Sequence, residues 1–293
     1  MIDLATSHDY VVLGDNAEVL PTLPDGAFQL VYADPPFNTG AIRSRRTLRT
    51  ARTGDGDRTG FAGRRYRTTE LGSHAYRDRF DDYLGFLAPR LRAARRLLTH
   101  DGTLYVHLDY REAHYAKVLL DEIFGRDCFV NEVIWAYDYG GRPRDRWPAK
   151  HDTILVYARN AGAHHFDRTA VERIPYMAPG LVTAEKAARG KLPTDVWWHT
   201  IVPTSGPEKT GYPTQKPAGV LRRIVSASSL PGAWVLDFFA GSGTTGAVAR
   251  ELGRRFVLVD DNPGAVAVMR GRLGSDGVAY VAADGSPLAP GSR

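Results

Sequence analysis

The chain has 293 residues, 43% of them hydrophobic and 24% charged, with a formal net charge of +5. These proportions fit one large α/β domain, or a core with a smaller appendage, and exclude collagen-like and disordered chains. The single cysteine, Cys128, excludes an internal disulfide, and the nine histidines lack the Cys/His spacing of a metal site, so no metal is expected.

The opening MIDLATSHDY has no basic or apolar leader pattern, and no apolar run approaches the roughly 18 residues of a spanning helix. A soluble cytoplasmic protein with no membrane step is therefore expected. The first strand signal is the apolar run Phe28 to Ala33, which ends in Asp34-Pro35-Pro36-Phe37-Asn38. Between Ala41 and Glu70, nine arginines (43, 45, 46, 49, 52, 58, 64, 65, 67) face three acids, a local charge of +6. This stretch is rich in Gly and Thr and has no apolar period, which predicts a mobile loop, about 40–75, that contacts nucleic-acid phosphates through Arg43, Arg45 and Arg46.

Asp82 to Leu98 predicts a helix with Tyr83, Phe86, Leu87, Leu91, Ala94 and Leu98 on its apolar face and Arg90, Arg92 and Arg96 largely elsewhere. Strands follow at Thr103–Leu108, Val130–Ala136 and Thr153–Ala158. The span from Asp138 to Tyr212 is otherwise irregular, with Gly140-Gly141 and the aromatics Trp147, Tyr176, Trp197 and Trp198. A helix is predicted from Lys216 to Ser228, stopped by Pro231-Gly232, and strands at Trp234–Phe239 and Phe256–Val259. Several strands are apolar throughout, as strands covered on both faces are, so the expected fold is α/β: a doubly wound, mostly parallel sheet.

Two motifs carry chemistry. In VLDFFAGSGTTG, Val235 to Gly246, a buried strand enters a glycine-rich turn and a helix, a design that brings backbone amides close to a cofactor. The next strand ends in Asp260-Asp261, where a carboxylate can accept the ribose hydroxyls of a nicotinamide cofactor or of S-adenosylmethionine. The Asp34 segment separates these readings, since a nicotinamide oxidoreductase leaves it without work. An aromatic amine is a poor nucleophile because its lone pair is delocalised into the ring. The Asp34 carboxylate and the Pro35 carbonyl can each accept one of its N–H groups, drawing electron density onto nitrogen, while Phe37 can stack on the base.

DPPF followed much later by FAGSGTT resembles the amino-methylating DNA methyltransferases, specifically the permuted β group in which the catalytic motif precedes the cofactor loop. The resemblance extends over most of the chain, through GDNAEVLPTLPDGAFQLVYADPPFN, LYVHLD, FVNEVIWAY, KHDTILVYAR and GYPTQKP. It implies a seven-stranded Rossmann-like sheet, a core at 1–159 and 212–293, and a target-recognition region at 160–211. It implies catalysis by Asp34, Pro35, Pro36 and Phe37, with Asn38 beside them on DNA. It also implies S-adenosyl-L-methionine contacts from Asp15, Ala33, Thr214, Lys216, Asp237, Phe239, Ala240, Gly241, Ser242, Gly243, Thr244 and Asp260. Asp15 would reach the cofactor adenine or cap a turn, Asp260 would take the ribose, and Lys216 would pair with the methionine carboxylate or lie at the surface. His107 and Asp109 would line the base pocket or close their strand.

Phenylalanine at 37 replaces the commoner tyrosine and keeps its stacking face, and Phe238 stands where proline is frequent. Aspartate at 34 resembles adenine N6 enzymes, with cytosine N4 the nearest alternative. Ribosomal RNA guanine methyltransferases carry DPPF with the cofactor loop first, the opposite order. A DNA-binding protein that has lost catalysis would not need the intact Asp34-Pro35-Pro36 and glycine loop. Double-stranded DNA is the implied partner; a homodimer and a cognate restriction nuclease remain open.

Overall fold

The computed structural model describes residues 2–39, 41–52, 58–59, 65–78, 80–203 and 206–289, with the backbone alone for 41–52, 58–59 and 65–78. Two compact units emerge: Met1–Pro35 with Leu84–Arg293, and Pro36–Tyr83. Among the described residues no helix is long and apolar enough to cross a membrane.

The larger unit is built on nine strands: β1 (Asp9–Leu13), β2 (Phe28–Ala33), β6 (Leu98–Leu108), β7 (Phe129–Ala136), β8 (His151–Ala158), β9 (Val196–Trp198), β10 (Trp234–Asp237), β11 (Arg255–Asp260) and β12 (Val278–Ala282). Their order is β12-β1-β11-β10-β2-β6-β8-β7-β9. The run from β12 to β6 is parallel throughout, while β8 lies antiparallel between β6 and β7. This is the expected doubly wound, mostly parallel sheet, with nine strands where seven were expected. The sheet ends in β12 at one edge and in β9, only three residues long, at the other.

Burial follows the two-sided cover. Val11, Val12, Leu30, Val31, Leu236 and Val257 are all fully buried, and each such side chain contributes roughly 1.5–3 kcal/mol relative to exposure. One face packs α5 (Ala218–Ser228), α6 (Thr244–Glu251) and α7 (Pro263–Leu273) against Leu30, Tyr32, Val235 and Leu258. On the other face Tyr157 of β8 meets Phe124 of α3 (Ala113–Phe124), with ring centroids 5.5 Å apart. Chain order reverses at the junction of β10 and β2, and in such sheets the crevice outside the strand ends at that point receives ligands.

Helix α2 (Tyr83–Leu97) buries Leu87, Leu91, Ala94 and Leu97 as its spacing predicts. Arg90 differs from expectation: it is only 9% exposed. Its Nη2 donates to Asp15 at 3.0 Å, its Nη1 to the Phe86 carbonyl at 2.8 Å and its Nε to Asn16 Oδ1. Position 90 lies within the stripe of 87, 91 and 94, and these bonds offset the desolvation that lowers the guanidinium pKa. Asp15 caps the short helix α1 (Asn16–Val19), accepting from the Ala17 amide at 2.8 Å.

The smaller unit corrects the loop expectation for the arginine-rich stretch. Its backbone forms β3 (Ala41–Arg52), β4 (Arg58–Thr59) and β5 (Arg65–Asp78), with β3 and β5 antiparallel from Ala41↔Asp78 to Arg52↔Tyr66. The strand-favouring residues Ile42, Thr47, Thr50, Tyr66, Thr68 and Tyr76 lie along this ladder, which satisfies backbone groups without an apolar period. The side chains of Arg43, Arg45 and Arg46 lie outside the described residues.

The loop after β10 is shaped by packing and by a buried acid. A Cβ on Gly246 would lie 2.6 Å from Leu258 Cδ1, and one on Gly243 2.7 Å from Met269 Cγ, with Gly243 at φ +71°. Asp237, 2% exposed, accepts from Thr245 Oγ1 at 2.6 Å and from the Phe239 amide at 3.1 Å, and burial pushes its carboxyl up to about 7. Burial likewise pushes Asp260, at the end of β11, up to about 6.

Gly246→Ala is expected to lower stability by about 1–3 kcal/mol through overpacking, read from the urea midpoint. Unfolded carboxyls ionise near pH 4, so between about pH 4 and pH 7 the native state retains protons that the unfolded chain has lost. Stability therefore falls as pH rises through that window. Asp237→Asn should flatten the fall seen in melting temperature, leaving the part ending near pH 6 that Asp260 supplies. An unchanged pH profile would show that Asp237 is ionised in the native protein.

Candidate functional site

Six side chains gather near the end of β2: Asp34, Lys216, Tyr32, His107, Asp152 and Tyr137. Asp34 follows the strand directly and is 13% exposed at its side chain. Its Oδ2 accepts a hydrogen bond from Lys216 Nζ. Its Oδ1 is buried and has no hydrogen-bond partner among the described residues, with His107 Nδ1 3.8 Å away. The Pro35 carbonyl accepts no hydrogen bond from a described residue, as expected of backbone that leaves a strand through prolines. Two acceptors at adjacent residues are thus left for an outside donor.

His107, at the end of β6, is fully buried. Tyr32 Oη lies 2.8 Å from its Nδ1, and its Nε2 lies 3.2 Å from Asp152 Oδ2. Burial, followed by the charges of Asp34, Asp237 and Asp152, raises the Tyr32 pKa, so its hydroxyl stays protonated and donates to Nδ1. Nε2–H is then the donor to Asp152, whose other oxygen accepts from Tyr137 Oη at 3.0 Å. Burial raises the Asp152 pKa, but hydrogen bonding and charge from His107, the Lys216 charge and the Tyr137 bond bring it below its ordinary value. The Tyr32–His107–Asp152–Tyr137 chain thus forms a fixed polar floor beneath Asp34. Of the two residues expected to line a base pocket or close a strand, His107 joins this floor. Asp109 turns away, accepting from the Arg111 amide at 2.9 Å.

Around the glycine loop, Asp260 Oδ2 accepts from the Gly241 amide at 2.7 Å and Oδ1 from Asn262 at 3.0 Å, fixing the carboxylate with lone pairs to spare. Asn16 Nδ2 donates to the Phe238 carbonyl at 2.7 Å, so the Arg90–Asp15–Asn16 cluster is tied to the same loop. Phe239 stands 6.1 Å from Phe86 between ring centroids. Ala240 and Ser242 are buried, and Gly241, at φ +51°, would place a Cβ 3.2 Å from Tyr212 Cε1. Thr244 Oγ1 donates to the Lys216 carbonyl at 3.1 Å and accepts from Arg272 Nη1 at 2.9 Å. Gln215 accepts from the amide and hydroxyl of Thr210, both at 2.8 Å, while Thr214 is exposed.

The geometry separates roles that the motifs merged. Asp34, Lys216, Asp260 and the Gly241–Thr244 turn come together at the switch point, whereas Asp237 lies beneath the loop with its oxygens turned to Thr245 and Phe239. Arg90, Asn16, Asp152 and Arg272 do not stand out in the sequence, because each acts through a contact with a residue remote in the chain. In the smaller unit, Asn38 takes a left-handed φ of +52° and its Oδ1 accepts from the Phe80 amide at 3.0 Å. There Tyr83 Oη also donates to the Pro36 carbonyl at 2.7 Å.

A cofactor with an adenosine and an amino-acid end fits this edge. Glycines keep side chains off the turn, Asp260 offers an acceptor and Lys216 an ammonium. Comparison with known proteins agrees. The family model described as a DNA methylase, of the N6/N4 methyltransferase type, matches residues 28–270. The Type II methyltransferase M.HpaI of Haemophilus parainfluenzae is 27% identical over 269 residues, covering 91% of this chain and 74% of the relative. The DNA adenine methyltransferase YhdJ of Escherichia coli (strain K12) is 27% identical over 260 residues, covering 86% and 78%. Among solved structures, the cytosine-N4-specific PvuII DNA methyltransferase superposes with a TM-score of 0.61 at 17% identity, over 91% of this chain and 87% of that one. The M1.HpyAVI–SAM complex gives 0.56 at 19% identity, over 90% and 98%. By the match across residues 28–270, this chain belongs to the N6/N4 DNA methylase family.

Proposed function

We propose that this DNA methyltransferase methylates N6 of an adenine extruded from double-stranded DNA. The observation that carries the reading is the asymmetric Asp34 carboxylate: Lys216 holds Oδ2, while buried Oδ1 is left without a partner beside the Pro35 carbonyl. An exocyclic amine brings two N–H donors, one for each acceptor. S-adenosylmethionine supplies an activated methyl on sulfonium sulfur. Asp34 and Pro35 polarise and orient the amine, and the proton that nitrogen sheds as the N–C bond forms leaves through Asp34 Oδ1. Lys216, bonded to Oδ2, holds the carboxylate in place, and positioning of this kind supplies most of the rate where the methyl is already activated.

The choice of adenine rests on aspartate at position 34 and is supported by the likeness to the DNA adenine methyltransferase YhdJ. Cytosine N4 is the alternative, as the fold of the PvuII enzyme accommodates it. Cofactor contacts are assigned to Asp15, Ala33, Thr214, Lys216, Phe239 to Thr244 and Asp260, with Asp237 shaping the loop from below. Lys216 has two claimants, Asp34 and the methionine carboxylate. Target recognition is assigned to residues 160–211, helped by Tyr139 to Lys150, where Trp147 is 94% exposed among Arg142, Arg144 and Arg146. Exposed aromatic rings beside arginines suit base stacking and phosphate contact.

Methylation-aware sequencing of DNA from cells expressing the protein is expected to show N6-methyladenine at a fixed sequence; N4-methylcytosine would overturn the adenine assignment. Asp34→Ala should slow methyl transfer by about 10²–10³-fold, the usual effect of removing one preorganised polar group. Near wild-type incorporation of labelled methyl would refute its role. Replacing Arg43, Arg45 and Arg46 by Gln should weaken DNA binding regardless of sequence. It should also reduce the slope of log K against log salt by about one for each phosphate that is no longer neutralised. An unchanged slope excludes these arginines from the interface.

A further inference from the structure

A second concavity of about 360 Å³ lies on the α5-facing side of the sheet. Thr103 and Tyr105 of β6, Val133 of β7, Val156 of β8 and Ala227 of α5 form its floor, and Phe166, Val171 and Trp197 close over it. Thr103 precedes His107 by four residues on β6, about 13 Å along the strand, so this site is separate from the methyl-transfer crevice. Its volume falls within the usual range for small-molecule pockets, and its walls are mainly apolar, as such pockets are.

Among the described residues, five buried side-chain polar atoms have no hydrogen-bond partner. Three of them, Thr103 Oγ1, His164 Nδ1 and Arg223 Nε, belong to residues lining this one cavity. A fourth is Asp34 Oδ1, the acceptor assigned to the substrate amine. Thr103 is 1% exposed, so its hydroxyl cannot turn to bulk water. A buried polar atom left unpaired costs about 1–3 kcal/mol, which a ligand pairing with it recovers. The neighbouring Ser228 and Tyr105 hydroxyls already satisfy each other at 2.7 Å. Arg223 lies with Cζ 5.5 Å from the Trp197 ring centroid, and burial lowers its guanidinium pKa against the opposing charge of Glu172. Asp195, also at the rim, is exposed, and its carbonyl is taken by the Ile134 amide at 2.7 Å.

We propose that this cavity is a second small-molecule site, taking an amphipathic carboxylate whose apolar body packs among Tyr105, Val133, Val156 and Trp197. Its carboxylate pairs with the guanidinium of Arg223, and Thr103 and His164 are the neighbouring polar residues of the lining. A guanidinium in an apolar enclosure favours an anion over a neutral ligand of the same shape. The roof includes Trp197 of β9, the strand that fastens the proposed recognition region to β7, so a bound ligand would brace that attachment.

The test is calorimetric titration with 2-naphthoate of the full chain, held at saturating S-adenosylmethionine. One site per chain is expected, with 2-naphthamide bound at least tenfold more weakly. Arg223→Gln should weaken 2-naphthoate binding tenfold or more, and Ala227→Leu, which fills the cavity, should abolish it, while both variants continue to methylate DNA. Thr103→Val, nearly isosteric, should weaken it several-fold and covers the case in which the filled variant does not fold. No heat with the native protein, displacement of 2-naphthoate by S-adenosylmethionine, or wild-type affinity in both Arg223→Gln and Thr103→Val would each overturn the proposal.

Discussion

Parallel strands deliver their last residues to one edge of a sheet, and here that edge collects negative charge. Asp34 follows β2, Asp237 ends β10 and Asp260 ends β11; Asp152 joins them from the start of antiparallel β8. Like charges gathered in a partly buried crevice cannot all be ionised and unpaired. Each acid meets this constraint differently: Asp237 by retaining a proton towards neutral pH, Asp260 by accepting two backbone amides, Asp152 through His107 and Tyr137, and Asp34 through Lys216. The resulting division of labour separates structural carboxyls from the one proposed to react. Asp34 alone in this group retains a buried oxygen without a hydrogen-bond partner, and this is the ground on which the reactive role is proposed for it.

The local parts of this arrangement are legible in the sequence. The apolar run Phe28–Ala33 ending in Asp-Pro-Pro marks a buried strand opening into a site, and the glycine spacing after Val235 marks a strand-to-helix turn. The order of these two motifs along the chain carries the family. The charge of Arg90 argues for the surface, whereas its position argues for the core, since 87, 90 and 94 lie on one helical face. The composition of the arginine-rich stretch points to a loop, yet backbone pairing between β3 and β5 needs no apolar signal. The floor under Asp34 joins residues 32, 107, 137 and 152, and nothing local in the sequence announces it. The same holds for the second cavity, whose unpaired atoms come from β6, α5 and the segment after β8.

Two glycines illustrate how function and packing share one motif. Gly243 and Gly246 answer mainly to Met269 and Leu258, so their lack of side chains is a requirement of the helix lying close on the sheet. Gly241 faces Tyr212 instead, at the mouth of the crevice. The dinucleotide-like spacing thus reflects a shared packing solution more than a shared cofactor, which is why the loop alone could not name its ligand.

The antiparallel insertion of β8 has a consequence for how this protein can diversify. His107 and Asp152 are placed by the pairing of β6 with β8, fixed by Leu108↔Thr153 and His107↔Ile154. The segment between β7 and β8 is closed at its neck by the Tyr137 amide on the Lys150 carbonyl at 2.8 Å. Everything beyond that neck, Trp147 and its neighbouring arginines included, can change in length or composition without moving Asp152. Strand register anchors His107 and Asp152 while the exposed segment can vary, so under the recognition role proposed for it specificity could change without disturbing the floor beneath Asp34.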